Sequence, residues 1–219
     1  MTDENKRFVE QFANPHSWLL TADSLHEQAT AIYSSRAHSS ITTKVDANRI
    51  ILEQIRGIDK SVFLLGGFAL ENAIKAFLVY ENPLWVSDGR LSKNLKSHSL
   101  TTLQSRSELV PYKTRHISVL KAFEDGLESW FRYPCALTVE KTKEEGHLYD
   151  DLWHRYSMVM RAYGRKLTKL LQGGWQGPHG FYGRWTITGE HFGYKTPMIP
   201  TFRATQLASK VSTYKGKLA

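Results

Sequence analysis

The chain has 219 residues, 41% of them hydrophobic, and a formal net charge of +8. That length is enough for one sizeable helical domain, or for a smaller domain with an appendage. A single cysteine, Cys135, excludes an internal disulfide, and the positive balance directs attention to polyanionic partners: RNA, DNA, nucleotides or an anionic membrane surface.

The N-terminal residues MTDENKRFVEQF are polar and lack the apolar core of a secretory signal. A soluble cytoplasmic protein without a membrane span is therefore expected. The first firm helix starts at Asn14-Pro15, an N-cap residue followed by a proline suited to the first turn. Trp18, Ala22, Leu25, Ala29 and Ile32 recur at helical spacing and predict one buried stripe. Residues 36–43 read as a turn, and residues 45–58 as a second helix with Ile50, Ile51 and Ile55 inward. A third helix is predicted over residues 60–80. It stops at Asn82-Pro83, because proline has no N–H to donate and disfavours helical geometry in the residue before it.

A loop follows, then a short helix in SHSLTTLQSR with Leu100 and Leu103 inward. Ile117, Leu120, Phe123, Leu127 and Trp130 keep a spacing of three and four, which predicts a helix over 111–132. A last long helix is predicted over 143–172, ended by Gly173-Gly174. Beyond it the composition changes to glycine and aromatics. Residues 172–219 hold six Lys or Arg against one Glu, which is +5 of the +8. Alternation in RWTITGEHFGY predicts a short hairpin within that tail. The expected organisation is an all-α antiparallel bundle of four to five main helices over 1–172, with an irregular Gly/aromatic-rich extension over 173–219.

The third helix raises a chemical question. Its run GGFALENAIKAFLVY is apolar almost all round, as a central helix packed on several sides requires, yet it carries Glu71, Asn72 and Lys75. Leu64, Phe68, Glu71, Lys75 and Leu78 project onto one narrow face. Glu71 precedes Lys75 by four residues, the favourable order for an ion pair. In a dry core such a pair loses several kcal/mol to desolvation. Two readings follow: a plain ion pair at the rim of the bundle, or the polar lining of a wet cleft. Gly66 and Gly67 are expected to admit a close helix–helix approach.

The segments GGFALENAIKAFLVYENP, GRLSKNLKSHSLTTL and WFRYP together resemble the HEPN (higher eukaryotes and prokaryotes nucleotide-binding) helical domains. The resemblance covers residues 14–172 loosely and 61–134 best. It implies a bundle of four or five antiparallel helices, commonly dimeric. It also implies a metal-independent ribonuclease acting as a toxin or in phage defence, or a non-catalytic relative that binds nucleotides, a nucleotidyltransferase-type partner or an antitoxin. The ribonuclease branch uses an arginine and a histidine four to six residues apart: the histidine moves the 2′-hydroxyl proton and the arginine holds phosphate. Arg90 and His98 are the counterparts here, separated by seven residues rather than six. Arg184 and His191 match the spacing strictly but lie in the tail. On this resemblance Arg90 and His98 are the catalytic candidates, and Glu71, Asn72, Lys75, Arg132, Arg184 and His191 the binding candidates. RNA or a nucleotide is the expected ligand, a homodimer the expected assembly, and no cofactor is required. The competing reading is a non-enzymatic helical module whose tail serves dimerisation or partner binding.

Other constellations point elsewhere. His147, Asp151 and His154 share a helix face at a spacing that presents metal ligands, but a solvated polar turn is the simpler reading, and no metal is expected. Cys135 has no His or Asp at a spacing that makes it a nucleophile. In the tail, Trp175, Phe181, Tyr182, Trp185, Phe192, Tyr194 and Phe202 alternate with Arg184, Lys195 and Arg203. That pattern suits single-stranded nucleic acid, though an arm wrapped on its own bundle or on a second subunit explains it better. Arg155, Arg165, Lys166 and Lys169 read as spread around a solvated helix, with a phosphate stripe as the second choice.

Overall fold

The computed structural model describes residues 2–35, 57–133, 135, 138–140 and 149–195. The predicted helix over 45–58 lies outside these except for its last two residues, which belong to the following helix. Six α-helices are described: α1 (Asp3–Arg7), α2 (Pro15–Ser35), α3 (Gly57–Glu81), α4 (Leu100–Arg106), α5 (Lys113–Glu128) and α6 (Tyr149–Gly173). A π-helical turn, Phe8–Ala13, joins α1 to α2. Four two-residue strands follow α6: β1 (Trp175–Gln176), β2 (Tyr182–Gly183), β3 (Glu190–His191) and β4 (Tyr194–Lys195).

The start of α2 is set by its cap. Asn14 is extended, and its Oδ1 accepts from the Ser17 N–H at 2.9 Å. Ring contacts then give the helix directions. Tyr33, at the end of α2, stacks on Trp153 near the start of α6, and Trp153 meets Phe63 near the start of α3. At the opposite end Trp18 of α2 lies by Lys75 of α3, so α2 and α3 are antiparallel. Phe77 and Tyr163 meet one level along, which makes α3 and α6 parallel. Phe63 touches Phe123 while His116 approaches Tyr163, so α5 runs against both. The four long helices therefore alternate in direction along the chain, and α3 packs against α2, α5 and α6 together.

That position explains the composition of α3. Leu70, Ala73, Ile74, Ala76, Phe77, Leu78 and Val79 are wholly buried. The segment Lys60–Glu81 is long and apolar enough to cross a membrane, but 78% of its apolar window is buried inside the bundle, as in a core helix. The two glycines allow the approach of α5 and α6. A methyl group on Gly66 would sit 3.2 Å from the Phe123 ring, and one on Gly67 would sit 2.9 Å from the Leu127 side chain. On α5 the inward residues are His116, Val119, Leu120, Phe123 and Leu127, whereas Ile117 is 42% exposed. The predicted stripe began one residue late, because histidine is not counted as apolar. The helix also ends at Glu128, earlier than predicted, and Trp130 and Phe131 turn back into the core.

Two carboxylates pin the loops around α4. Glu124 of α5 accepts from the Ser99 and Thr101 hydroxyls and from the Thr101 N–H. It thereby supplements Ser99, the N-cap of α4. Glu81, the last residue of α3, accepts from the Ser107 hydroxyl and the Glu108 and Leu109 N–H groups beyond α4. These loops carry the segment of interest, since His98 immediately precedes the cap.

Residues 174–195 fold back onto the bundle. Trp175 donates its indole N–H to the Tyr80 carbonyl, and the Tyr80 hydroxyl donates to the Gly174 carbonyl. Strands β1 and β2 pair antiparallel, as do β3 and β4. The second pair turns through Phe192 and Gly193, both with positive φ, the backbone of a tight hairpin turn. The predicted hairpin is thus present but displaced toward its C-terminal end, and the first hairpin was not anticipated. Trp175, Ile187 and Phe192 join the same core as α3, which answers the question of the tail for these residues: its rings pack on its own bundle. Phe202 and Arg203 lie outside the described residues.

Candidate functional site

The polar stripe of α3 changes character along its length. Phe68 is 39% exposed, Glu71 and Lys75 are buried, and Leu78 is wholly enclosed. The stripe therefore opens at one end only. Lys75 Nζ donates to Glu71 Oε1 at 2.6 Å, and its ammonium lies 5.8 Å from the centre of the Trp18 ring of α2. Both charges are almost fully withdrawn from water, so the pair is neither the rim ion pair nor the open cleft lining that sequence alone offered. The indole N–H of Trp18 is buried without a hydrogen-bond partner.

His98 provides the outlet. Its Nδ1 stands 3.1 Å from Glu71 Oε2 and 3.2 Å from Oε1, while the imidazole as a whole is 82% exposed. A carboxylate can only accept, so the nitrogen facing it carries a proton, and in the neutral ring it is then Nε2 that has the free lone pair. A buried cation thus orients a buried carboxylate, which in turn orients an exposed imidazole. The local cause is the turn before α4: Ser97 Oγ accepts from the Ser99 N–H and Ser99 caps the helix, placing His98 over the gap left by Glu71.

The remaining predicted residues are dispersed. Asn72 turns its amide back to the Phe68 carbonyl at 2.8 Å. Arg90 is exposed beyond the left-handed Gly89 and makes no hydrogen bond to His98 or Glu71 among the described residues. Arg132 is exposed, with its guanidinium 5.9 Å from the centre of the Tyr133 ring. Arg184 donates to the Gln172 carbonyl at the end of α6. His191 faces Asp23 of α2 at 2.9 Å through Nδ1 and the Thr188 carbonyl at 3.1 Å through Nε2. Asp23 also accepts from the Phe192 N–H. These last contacts fasten the extension to α2 and α6, so Arg184 and His191 are joined to the bundle and not to each other. His147 lies outside the described residues, Asp151 pairs with Arg155, and no cluster of metal-ligand type occurs among the described residues.

A second concave site was not singled out in sequence. A groove of about 410 Å³ runs between the start of α5 and the middle of α6. Arg115, Arg161, Arg165, Lys166 and Lys169 line it, and no carboxylate does. The α6 cations are therefore gathered on one ridge, contrary to the expectation that they are spread around the helix; only Arg155 turns away, to Asp151. The signal was available: Arg161, Arg165 and Lys169 follow one another at intervals of four, which aligns side chains on a helix. What the sequence does not carry is Arg115, brought opposite from another helix.

Beneath this groove sits a polar cluster. His116 is 6% exposed, and its Nδ1 has no hydrogen-bond partner. Burial, and secondarily the neighbouring Arg115, depress its basicity. The Tyr163 phenol and Gln104 side chain lie in the same interior, and burial raises the Tyr163 pKa above its ordinary value. On the other side of the molecule's sequence, His26 of α2 is buried against the Tyr156 hydroxyl at 2.9 Å, and burial lowers its pKa to about 4. Neither a family model, nor a curated protein, nor a solved structure matches the chain.

Proposed function

We propose that this chain is an RNA- or nucleotide-binding helical protein of HEPN type, with metal-independent ribonuclease activity centred on His98. The observation that carries the reading is the buried Glu71 carboxylate, both of whose oxygens face the single Nδ1–H of an exposed imidazole. In that orientation Nε2 accepts the proton of a ribose 2′-hydroxyl. The 2′-oxygen then attacks the adjacent phosphorus, the P–O5′ bond breaks, and the departing 5′-oxygen takes a proton from water, giving a 2′,3′-cyclic phosphate and a 5′-hydroxyl. Glu71 stabilises the imidazolium so formed, and Lys75 holds the carboxylate in place. Arg90 and Arg132, both exposed, are the candidates for phosphate contact, from the same protomer or from a second copy in a homodimer. A toxin–antitoxin or phage-defence setting belongs to the same proposal and rests on the family resemblance alone.

The alternative is a non-enzymatic helical interaction module. It is favoured by the exposure of His98 and by the absence of any hydrogen bond between His98 and an arginine among the described residues. Incubation with mixed RNA discriminates the two. Cleavage by the wild type, abolished in H98A and strongly reduced in E71Q, with cyclic-phosphate ends on the products, supports the enzyme. Intact RNA with wild type and both variants refutes it.

A further inference from the structure

We infer that the groove between α5 and α6 binds a compact polyphosphate, with one end of the phosphate chain seated on the α5 N-terminus and the rest along the α6 cations. Three independent observations converge there. The first is charge: five cationic side chains and no carboxylate line one concavity of about 410 Å³, a volume in the range of small-ligand pockets. Like charges gathered this way repel one another, and a bound polyanion relieves that repulsion.

The second observation is the helix terminus. The residue at the N-cap of α5, Tyr112, is in the left-handed region and offers no side-chain cap, and the first turn contains no acidic residue. The free N–H groups and the positive end of the helix dipole are thus uncompensated by the protein, and both favour a phosphate oxygen. Most helix starts are capped by a side-chain oxygen; this one presents Lys113 and Arg115 instead.

The third is His116. It lies in the first turn of α5, lines the groove, and is more than nine-tenths buried with Nδ1 unpartnered. An unsatisfied buried polar atom is destabilising by about 1–3 kcal/mol and calls for a partner. The ring floors the groove beside Arg115, so a phosphate seated there changes the surroundings of this buried imidazole. Tyr112, 63% exposed and set edge-on to His116 at 5.8 Å between ring centres, gives the mouth of the groove an aromatic edge for a base, if the polyphosphate belongs to a nucleotide.

No residue of this site takes part in the Glu71–His98 arrangement, so the inference and the ribonuclease reading stand or fall separately. The test is calorimetric titration of the full chain, at physiological ionic strength, with inorganic tripolyphosphate, with ATP and with a short single-stranded RNA. Saturable binding of tripolyphosphate or ATP is expected, weakening on added salt and weakened at least about tenfold in R115E/K169E. Both substituted residues are exposed, so folding should be retained; R115Q/K169Q repeats the test if the charge reversal perturbs it. Equal affinities for the two small ligands assign a free polyphosphate, and tighter ATP binding assigns a nucleotide. The His116 ring resonances shift on binding, and H98A binds as wild type does. Absence of saturation, binding unchanged in folded R115E/K169E, or binding of RNA with none of tripolyphosphate and ATP overturns the inference.

Discussion

Replacing Lys75 by methionine tests whether the buried charges of α3 act as one unit. The substitution keeps the length and apolar stem of the side chain and removes only the ammonium. Lys75 is 5% exposed and Glu71 6%, and their atoms are 2.6 Å apart. Without Lys75 the Glu71 carboxylate remains in the core, facing only the His98 imidazole. Breaking a buried pair in this way is destabilising by about 3–5 kcal/mol, and the His98 outlet places this case toward the lower end. For a chain of this size that corresponds to a fall in Tm of roughly 10 °C. The double variant E71M/K75M removes both charges and fills the space with apolar atoms. It should therefore be more stable than K75M, by about 2 kcal/mol or more, despite carrying one more substitution. Urea unfolding of wild type, E71M, K75M and E71M/K75M closes the cycle. Additive losses would show that the two side chains do not depend on each other, and would refute the unit of cation, carboxylate and imidazole on which the His98 mechanism rests.

Three further outcomes are expected. His26 is neutral in the fold, with a pKa near 4 against an ordinary 6.5, so its stabilising burial is complete above pH 6.5 and is lost as the pH falls toward 4; the loss is at most about 3 kcal/mol, and H26L should flatten the urea-midpoint profile across that window. G67A places a methyl group 2.9 Å from the Leu127 side chain, so overpacking of about 1–3 kcal/mol outweighs the gain of roughly 1 kcal/mol in helix propensity, which thermal unfolding will register as a lower Tm. W175A removes a side chain that is 2% exposed and its hydrogen bond to Tyr80; a loss of about 3–5 kcal/mol is expected, together with faster proteolysis between residues 174 and 195, and unchanged cleavage kinetics would show that this segment is not anchored through Trp175.

The helical skeleton was legible because its signals are local. The Asn14-Pro15 start, the Asn82-Pro83 stop and the apolar period of α3 each act within one or two turns, and a backbone responds to such signals before any tertiary contact forms. The placement of Glu71 and Lys75 on one face was likewise readable from helix geometry. Where periodicity failed, a polar residue held a core position: His116 took the place expected of Ile117, since a lone histidine contributes nothing to an apolar pattern until its surroundings are known. Arg184 and His191 matched a spacing in the sequence, yet they meet Gln172 and Asp23, partners no interval between them encodes.

By itself the sequence determined an α-helical bundle, a central helix with a charged stripe, and a basic chain, because helix propensity, capping and net charge are sums over neighbouring residues. Only the tertiary structure decided that Glu71 is buried between Lys75 and an exposed His98, that Arg115 faces the cations of α6 across a groove, and that residues 174–195 return to the bundle. Each of those depends on which helix faces lie opposite one another. That is settled by packing the whole core at once around α3, where the glycines fix how closely α5 and α6 approach.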